Sequence, residues 1–243
     1  MFAPALFLIL IVANITEAIT GFGSTVIALT LGAFLFPIQE LIVVLVPLNL
    51  VLSLMIVAQS ARQIDWRILL RDILPLTALG MVAGLALQKS FQQSIGLQKG
   101  YGAFVFIFAL VQLAKSRAAA PSPKQPTRLV KAGLLLGGGL MQGIYASGGP
   151  LVVSYVSQIL KDKNTFRATL SFLWVLLNGL LFLIYVSDGL YTSEVQTFAL
   201  KHSPAVIIGM LIGNFLHRRI QERFFRRLVF LLLMTAGLAL LVR

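Results

Sequence analysis

The chain has 243 residues, 58% of them hydrophobic and 12% charged, with a mean hydropathy of +0.92. A soluble domain carries roughly 25% charged residues, so the composition excludes an ordinary water-soluble fold and indicates an integral membrane protein. The absence of cysteine excludes disulfides and thiolate chemistry, and the net charge of +12 fits basic loops beside an anionic leaflet better than a nucleic-acid partner.

In chain order, the first apolar region, 2–36, is too long for one crossing at 1.5 Å per residue and is interrupted by "TGFGST" at 20–25. Its beginning has no basic segment and is read as retained structure rather than a signal peptide. Apolar runs then predict spans at 41–59, 68–87 and 100–114. The polar stretch "KSRAAAPSPKQPTR" (115–128) reads as a linker from its Pro, Ser and Ala content. Region 129–159 is again too long, and "ASGGPL" interrupts it at 146–151. Spans at 168–187, 203–216 and 228–242 complete the chain.

The basic residues choose the topology. If both broken regions cross once, the 20 Lys and Arg residues divide evenly between the two sides. If 129–159 enters and leaves on one side, sixteen fall on one face: near 62–71, 115–131, 161–167 and 218–227. Only Lys89, Lys99, Lys201 and Arg243 fall on the other. The positive-inside rule selects this second arrangement and makes the linker cytoplasmic. Region 2–36 has no flanking charge, since no Lys or Arg precedes Arg62.

An internal repeat extends the argument. "PLTALGMVAGLAL" (75–87) matches "PAVIIGMLIGNFL" (204–216) at an offset of 129, carrying Pro75, Gly80, Met81, Gly84 and Leu87 onto Pro204, Gly209, Met210, Gly213 and Leu216. The same offset carries Asn49 onto Asn178, and an offset of 126 carries Gly23 onto Gly149. The expected fold is therefore an all-α, polytopic membrane protein forming a single domain. It comprises two inverted repeats (1–114 and 129–243), each with one broken re-entrant hairpin and three transmembrane helices. Both termini would lie outside.

Each break is expected to start a half-helix, at Ser24–Thr25 and at Gly149–Pro150, with Ser or Thr as N-cap and Pro in the first turn. Opposed half-helices bring two N-termini together near the midplane, where free N–H groups and the helix dipole favour an anion. Candidate binding residues are Thr20, Gly21, Gly23, Ser24 and Thr25 at the first break, with Gln142, Tyr145, Ser147, Gly148 and Gly149 at the second. Asn49 and Asn178 are a symmetric pair of amide donors, or else helix–helix hydrogen bonds. Glu17 is the acidic residue well inside a helical segment and the candidate proton carrier, or else a carboxylate bonded to Asn14. Its repeat equivalent at the 126 offset is Gly143. Gly80, Gly84, Gly209 and Gly213 suit close helix packing, and Trp66 beside Asp65 suits an interfacial anchor. The Arg218, Arg219, Arg223, Arg226 and Arg227 cluster suits lipid headgroups.

The glycine-broken first helix of each half, the Pro/Gly-marked third helix and the basic central linker resemble the sulfite exporter TauE/SafE family over essentially the whole chain. One departure is "GFGS", where Phe22 stands in what would otherwise be a longer glycine run. The resemblance implies a transporter of small sulfur-containing anions, such as sulfite or organosulfonates, exported across the cytoplasmic (inner) membrane. Proton or sodium coupling and a homodimer through a glycine face stay open, as do an anion channel and a non-transporting assembly partner. No metal site, cofactor or enzyme activity is expected: His202 and His217 lack partners at ligand spacing, and no nucleophile–base pair is visible.

Overall fold

A computed structural model describes residues 3–90, 95–117, 127–217 and 222–242. Every regular element among the described residues is helical. Helix α1 (Pro4–Thr20) leads through the first break into α2 (Ser24–Gly32), and α3 (Ile38–Ser60) follows after Pro37. A short α4 (Trp66–Ile68) and a π turn (Leu69–Ile73) run into α5 (Leu74–Ser90), and α6 (Ile95–Arg117) ends the first half. The second half repeats the order: α7 (Arg128–Tyr145), break, α8 (Gly149–Ile159), α9 (Lys163–Ser187), α10 (Ser193–His202), α11 (Pro204–His217) and α12 (Glu222–Val242). Most of the linker predicted over 115–128 lies outside the described residues, as do the side chains of Arg218, Arg219, Arg223, Arg226 and Arg227.

Both broken regions are hairpins. A Cβ built on Gly32 would lie 3.5 Å from the Leu6 side chain, which brings the end of α2 back to the start of α1. On the other side, one built on Gly138 would lie 2.7 Å from Val152, so α8 returns along α7. The charge pattern carried no information on 2–36; packing decides it. The repeated prolines have a shared consequence. Pro lacks an N–H and crowds the preceding turn; the chain absorbs Pro75 after the π turn and Pro204 after the joint at Ser203. Counting α10 and α11 as one path, four helical stretches among the described residues are long and apolar enough to cross a membrane: Ile38–Gln63, Trp66–Gln88, Lys163–Ser187 and Ser193–His217. Leu79, Val82, Ile107, Leu183, Leu211 and Phe215 are each more than half exposed, an apolar surface suited to lipid rather than water.

The halves pack reciprocally. α5 of the first half lies on α7 of the second, and α11 of the second lies on α1 of the first; α3 crosses α9, and α6 crosses α12. Each of these four pairings has its counterpart with the halves exchanged, as expected of a two-fold arrangement. The packing expected of the paired glycines is present. A Cβ at Gly80 would sit 2.1 Å from the Leu136 carbonyl oxygen, and one at Gly209 would sit 2.5 Å from Asn14 Cβ. Gly139 and Gly143 present the same closeness from α7, at 2.0 Å from the Thr77 oxygen and 2.3 Å from the Met81 oxygen. Trp66 is about half exposed, with its ring 4.8 Å from Phe172. Asp65 caps α4 by accepting from the Ile68 N–H.

Candidate functional site

The breaks are built by left-handed residues. Gly21 (φ 81°) ends α1, its N–H donating to the Glu17 carbonyl at 2.7 Å, and Gly23 (φ 104°) precedes α2. A Cβ at Gly21 would also meet the Arg167 Cα at 2.9 Å, so glycine is required twice over. In the second half Ala146 (φ 51°) takes the position of Gly21, its N–H donating to the Gln142 carbonyl at 2.8 Å. Gly148 then precedes α8, with its would-be Cβ 2.2 Å from the Gly138 carbonyl oxygen. The structural register of the breaks is therefore 125, which places Gly148, not Gly149, opposite Gly23.

That register changes the partner of Glu17. The residue in the corresponding place is Gln142 rather than Gly143, and each bonds a backbone N–H at its break, one residue earlier in the second half. Glu17 Oε2 accepts from the Ser24 N–H at 3.0 Å, and Gln142 Oε1 accepts from the Gly148 N–H at 2.9 Å. Each side chain reaches forward from the first helix of its hairpin and caps the second. The expectation of a Ser or Thr N-cap is not met at α2, where Gly23 occupies the cap position without a side-chain bond. The Ser24 hydroxyl is instead 2.5 Å from Asn49 Nδ2. Pro150 does lie in the first turn of α8.

A single directed chain of hydrogen bonds links the two breaks. Gln142 Nε2 donates to Asn178 Oδ1 at 2.7 Å, Asn178 Nδ2 to Asn49 Oδ1 at 2.6 Å, and Asn49 Nδ2 to Glu17 Oε2 at 2.8 Å. Ser53 on α3 adds a longer contact, 3.4 Å, to Glu17 Oε1. Every amide in the chain points its N–H toward Glu17, and all four residues are at most 5% exposed. Such polar chains are costly to leave half satisfied in a low-dielectric interior. Asn14 is not a partner of Glu17; its Nδ2 is buried and has no hydrogen bond.

Between the breaks lies a small cavity of about 20 Å³. Glu17, Thr25, Asn49, Gln142, Ser147 and Asn178 wall it, together with the backbone of Gly23 and Gly149. Eight of the sequence-selected residues thus converge. Others do not line it. The Thr20 hydroxyl lies 2.8 Å from both the Thr16 and Phe22 carbonyls and stitches the turn. Gly21 and Gly148 act through backbone geometry, Ser24 through its bonds to Glu17 and Asn49, and Tyr145 packs tilted against Tyr101 with centroids 4.8 Å apart. Phe22, the departure from a plain glycine run, packs over Gly149 at the start of α8.

Several contributors carried no local signal. Trp174 lines the cavity and donates its Nε1–H to the Gly21 carbonyl at 2.9 Å. Tyr101, on α6, places its hydroxyl 3.1 Å from Ser147 Oγ and 3.3 Å from the Val26 carbonyl. His217 Nδ1 meets the Ile19 carbonyl at 2.8 Å, and Gln88 Nε2 donates to the Ile144 carbonyl at 3.0 Å. These last two close the C-terminal ends of α1 and α7, and they are related by the 129 offset, a signal the sequence did contain. Arg167 donates from Nη2 to Asn214 Oδ1 at 2.5 Å. No group of three or more metal-ligating side chains occurs among the described residues.

Comparison with known proteins agrees with this architecture. The chain is 26% identical over 181 residues to the probable inner membrane transporter protein TsaS of Comamonas testosteroni, covering 74% of this chain and 73% of that protein. No solved structure matches. The family described as sulfite exporter TauE/SafE matches residues 6–240, almost the entire chain. With that match over both hairpins and all the helices that hold them, the protein belongs to the sulfite exporter TauE/SafE family of membrane transporters.

Proposed function

We propose that the protein is a secondary transporter of the inner membrane that carries a small sulfur-containing anion, sulfite or an organosulfonate, outward. The observation that carries this reading is the meeting of two interrupted helices, each N-terminal end forward, on one buried polar cavity. Unpaired N–H groups of the first helical turns and the dipoles behind them make such a cavity attractive to an oxyanion. The amides of Asn49, Gln142 and Asn178 are the side-chain donors, with Thr25 and Ser147 hydroxyls beside them.

The reciprocal packing of the halves supports an inverted repeat with re-entrant hairpins, and the distribution of basic residues supports a cytoplasmic linker and both termini outside. Alternating access would follow from one half moving against the other around the shared site. A cavity that holds about one water must widen for a sulfonate, and separation of the Asn49–Asn178 contact is the natural opening. The test is uptake of radiolabelled sulfite and sulfoacetate into proteoliposomes. Saturable flux, reduced by Asn49→Ala and Asn178→Ala, is expected. Non-saturating flux would make the protein a channel, and no anion flux under any gradient would leave it a membrane assembly partner.

A further inference from the structure

The two capping side chains occupy equivalent places, yet one is charged and the other is not. Glu17 accepts the first N–H of α2; Gln142 accepts the N–H of Gly148, the residue just before α8. A carboxylate at a helix N-terminus is itself a well-placed anion. We infer that Glu17 is a tethered anion that holds the α2 end of the cavity, that substrate must displace it, and that its protonation is what permits the displacement. The inference rests on the anion-transporter reading above and specifies how its site is coupled.

Charge decides the energetics. Two negative groups sharing one desolvated cavity repel strongly, because water is absent to screen them. Ionised Glu17 and substrate are therefore mutually exclusive at the Ser24 N–H and Asn49 Nδ2. A proton removes the repulsion and also ends the need for two donors on Glu17 Oε2. Those donors then become available to the oxyanion. Gln142 has no charge to lose, so the α8 end is permissive at every pH.

A second observation shows that the α2 end offers more donors than Glu17 takes. Asn14 is 2% exposed, and its Nδ2 has no hydrogen-bond partner. It lines a small void together with Ser24, Thr25 and Asn49, and Thr25 and Asn49 also wall the central cavity. A buried amide without a partner costs about 1–3 kcal/mol. An oxyanion seated on the first turn of α2 would supply the missing acceptor.

The titratable surroundings of Glu17 are sparse. Glu17 is in no ion pair among the described residues. Its contacts on α2 and α3 are Ser24, Asn49 and Ser53, all uncharged. On the helices packed against α1, the titratable or charged groups near its ends are Arg167 beside Gly21, His217 on the Ile19 carbonyl and His202 beside Ala3. Protonation of Glu17 therefore reports on the cavity itself. Proton and anion binding reinforce one another reciprocally, and the carrier moves them as a pair. Outward transport then proceeds whenever the anion gradient outweighs the opposing proton gradient.

The experiment is equilibrium binding of methanesulfonate and sulfoacetate to the full chain in lipid nanodiscs between about pH 5 and 8, where a sulfonate keeps its charge. Trp174 fluorescence is the readout, in a Trp66→Phe background, since Trp174 lines the cavity and these are the chain's two tryptophans. Wild-type affinity should fall about tenfold per pH unit above the Glu17 titration, the slope of one linked proton. Glu17→Gln should bind tightly with no pH slope. Gln142→Glu should bind more weakly at high pH, with a slope approaching about hundredfold per unit as a second proton is required. Wild-type binding that is flat in pH, or a Glu17→Gln slope equal to wild type, overturns the inference and leaves the transporter reading intact. Folded Glu17→Gln protein that no longer binds overturns it too, because Glu17 would then be a scaffold and not a competitor. Absence of binding by every variant removes the transporter reading and this inference with it.

Discussion

Gly21 and Ala146 occupy the same structural position in the two halves, and exchange of their residue types should have opposite consequences. Both are left-handed, at φ 81° and 51°, and both donate to the carbonyl four residues earlier. For a residue bearing a Cβ, that conformation costs about 1–2 kcal/mol. Gly21→Ala incurs this cost and adds a contact of 2.9 Å to the Arg167 Cα, a backbone atom that cannot rotate away. Overpacking of that kind adds about 1–3 kcal/mol, so the total loss is about 2–5 kcal/mol. Ala146→Gly relieves the strain but adds unfolded-state entropy of about 0.4–1 kcal/mol, leaving a change from about zero to a gain of about 1.5 kcal/mol. Thermal unfolding of both variants in the same detergent, followed by far-ultraviolet circular dichroism, compares them directly. The reasoning, and with it the 125-residue register of the site, is refuted if Gly21→Ala unfolds at the wild-type midpoint or if Ala146→Gly is destabilised as much as Gly21→Ala.

Gly139→Ala should destabilise by about 1–3 kcal/mol, because its Cβ would overlap the Thr77 carbonyl oxygen, whereas Gly133→Ala, which meets nothing within 4 Å, should be neutral or stabilising by up to about 1 kcal/mol; the same unfolding assay reads both. Asn178→Ala leaves Gln142 Nε2 without its acceptor and Asn49 Oδ1 with only the longer Ser53 contact, and should cost about 1–3 kcal/mol unless water replaces the lost partner, with anion flux reduced at least tenfold in proteoliposomes. Asp162, at the exposed start of α9, accepts from the Thr165 N–H and hydroxyl, which hold its carboxyl below the usual range. Its capping contribution is thus present above the unfolded value of about 3.9 and is lost as pH falls through the lower folded value. Hydrogen exchange in the first turn of α9 should accelerate only in that acid window, and Asp162→Ala should show the faster exchange already at neutral pH.

Part of this protein is readable residue by residue. Long uncharged apolar runs, basic loops, and Gly- or Pro-rich interruptions obey local rules, so the membrane class, the two broken helices and the spans follow from the chain alone. The repeat was visible because Pro75, Gly80 and Gly84 recur at one offset, and that same offset pairs Asn49 with Asn178, whose side chains meet at 2.6 Å. Other features depend on contacts between residues far apart in sequence. No flanking charge constrained region 2–36, and only the return of Gly32 to Leu6 makes it a hairpin. Glycine matching aligned the breaks at 126; backbone conformation at Gly21 and Ala146 aligns them at 125 and thereby pairs Glu17 with Gln142. Tyr101 and Trp174 sit on apolar helices where nothing local distinguishes a lipid-facing ring from one that supports a buried site. Composition and local backbone preference determined that this chain enters the membrane and where its helices break. Which donors Glu17 captures, and which remain for a substrate, was decided only when tertiary packing brought six helices together around one desolvated cavity.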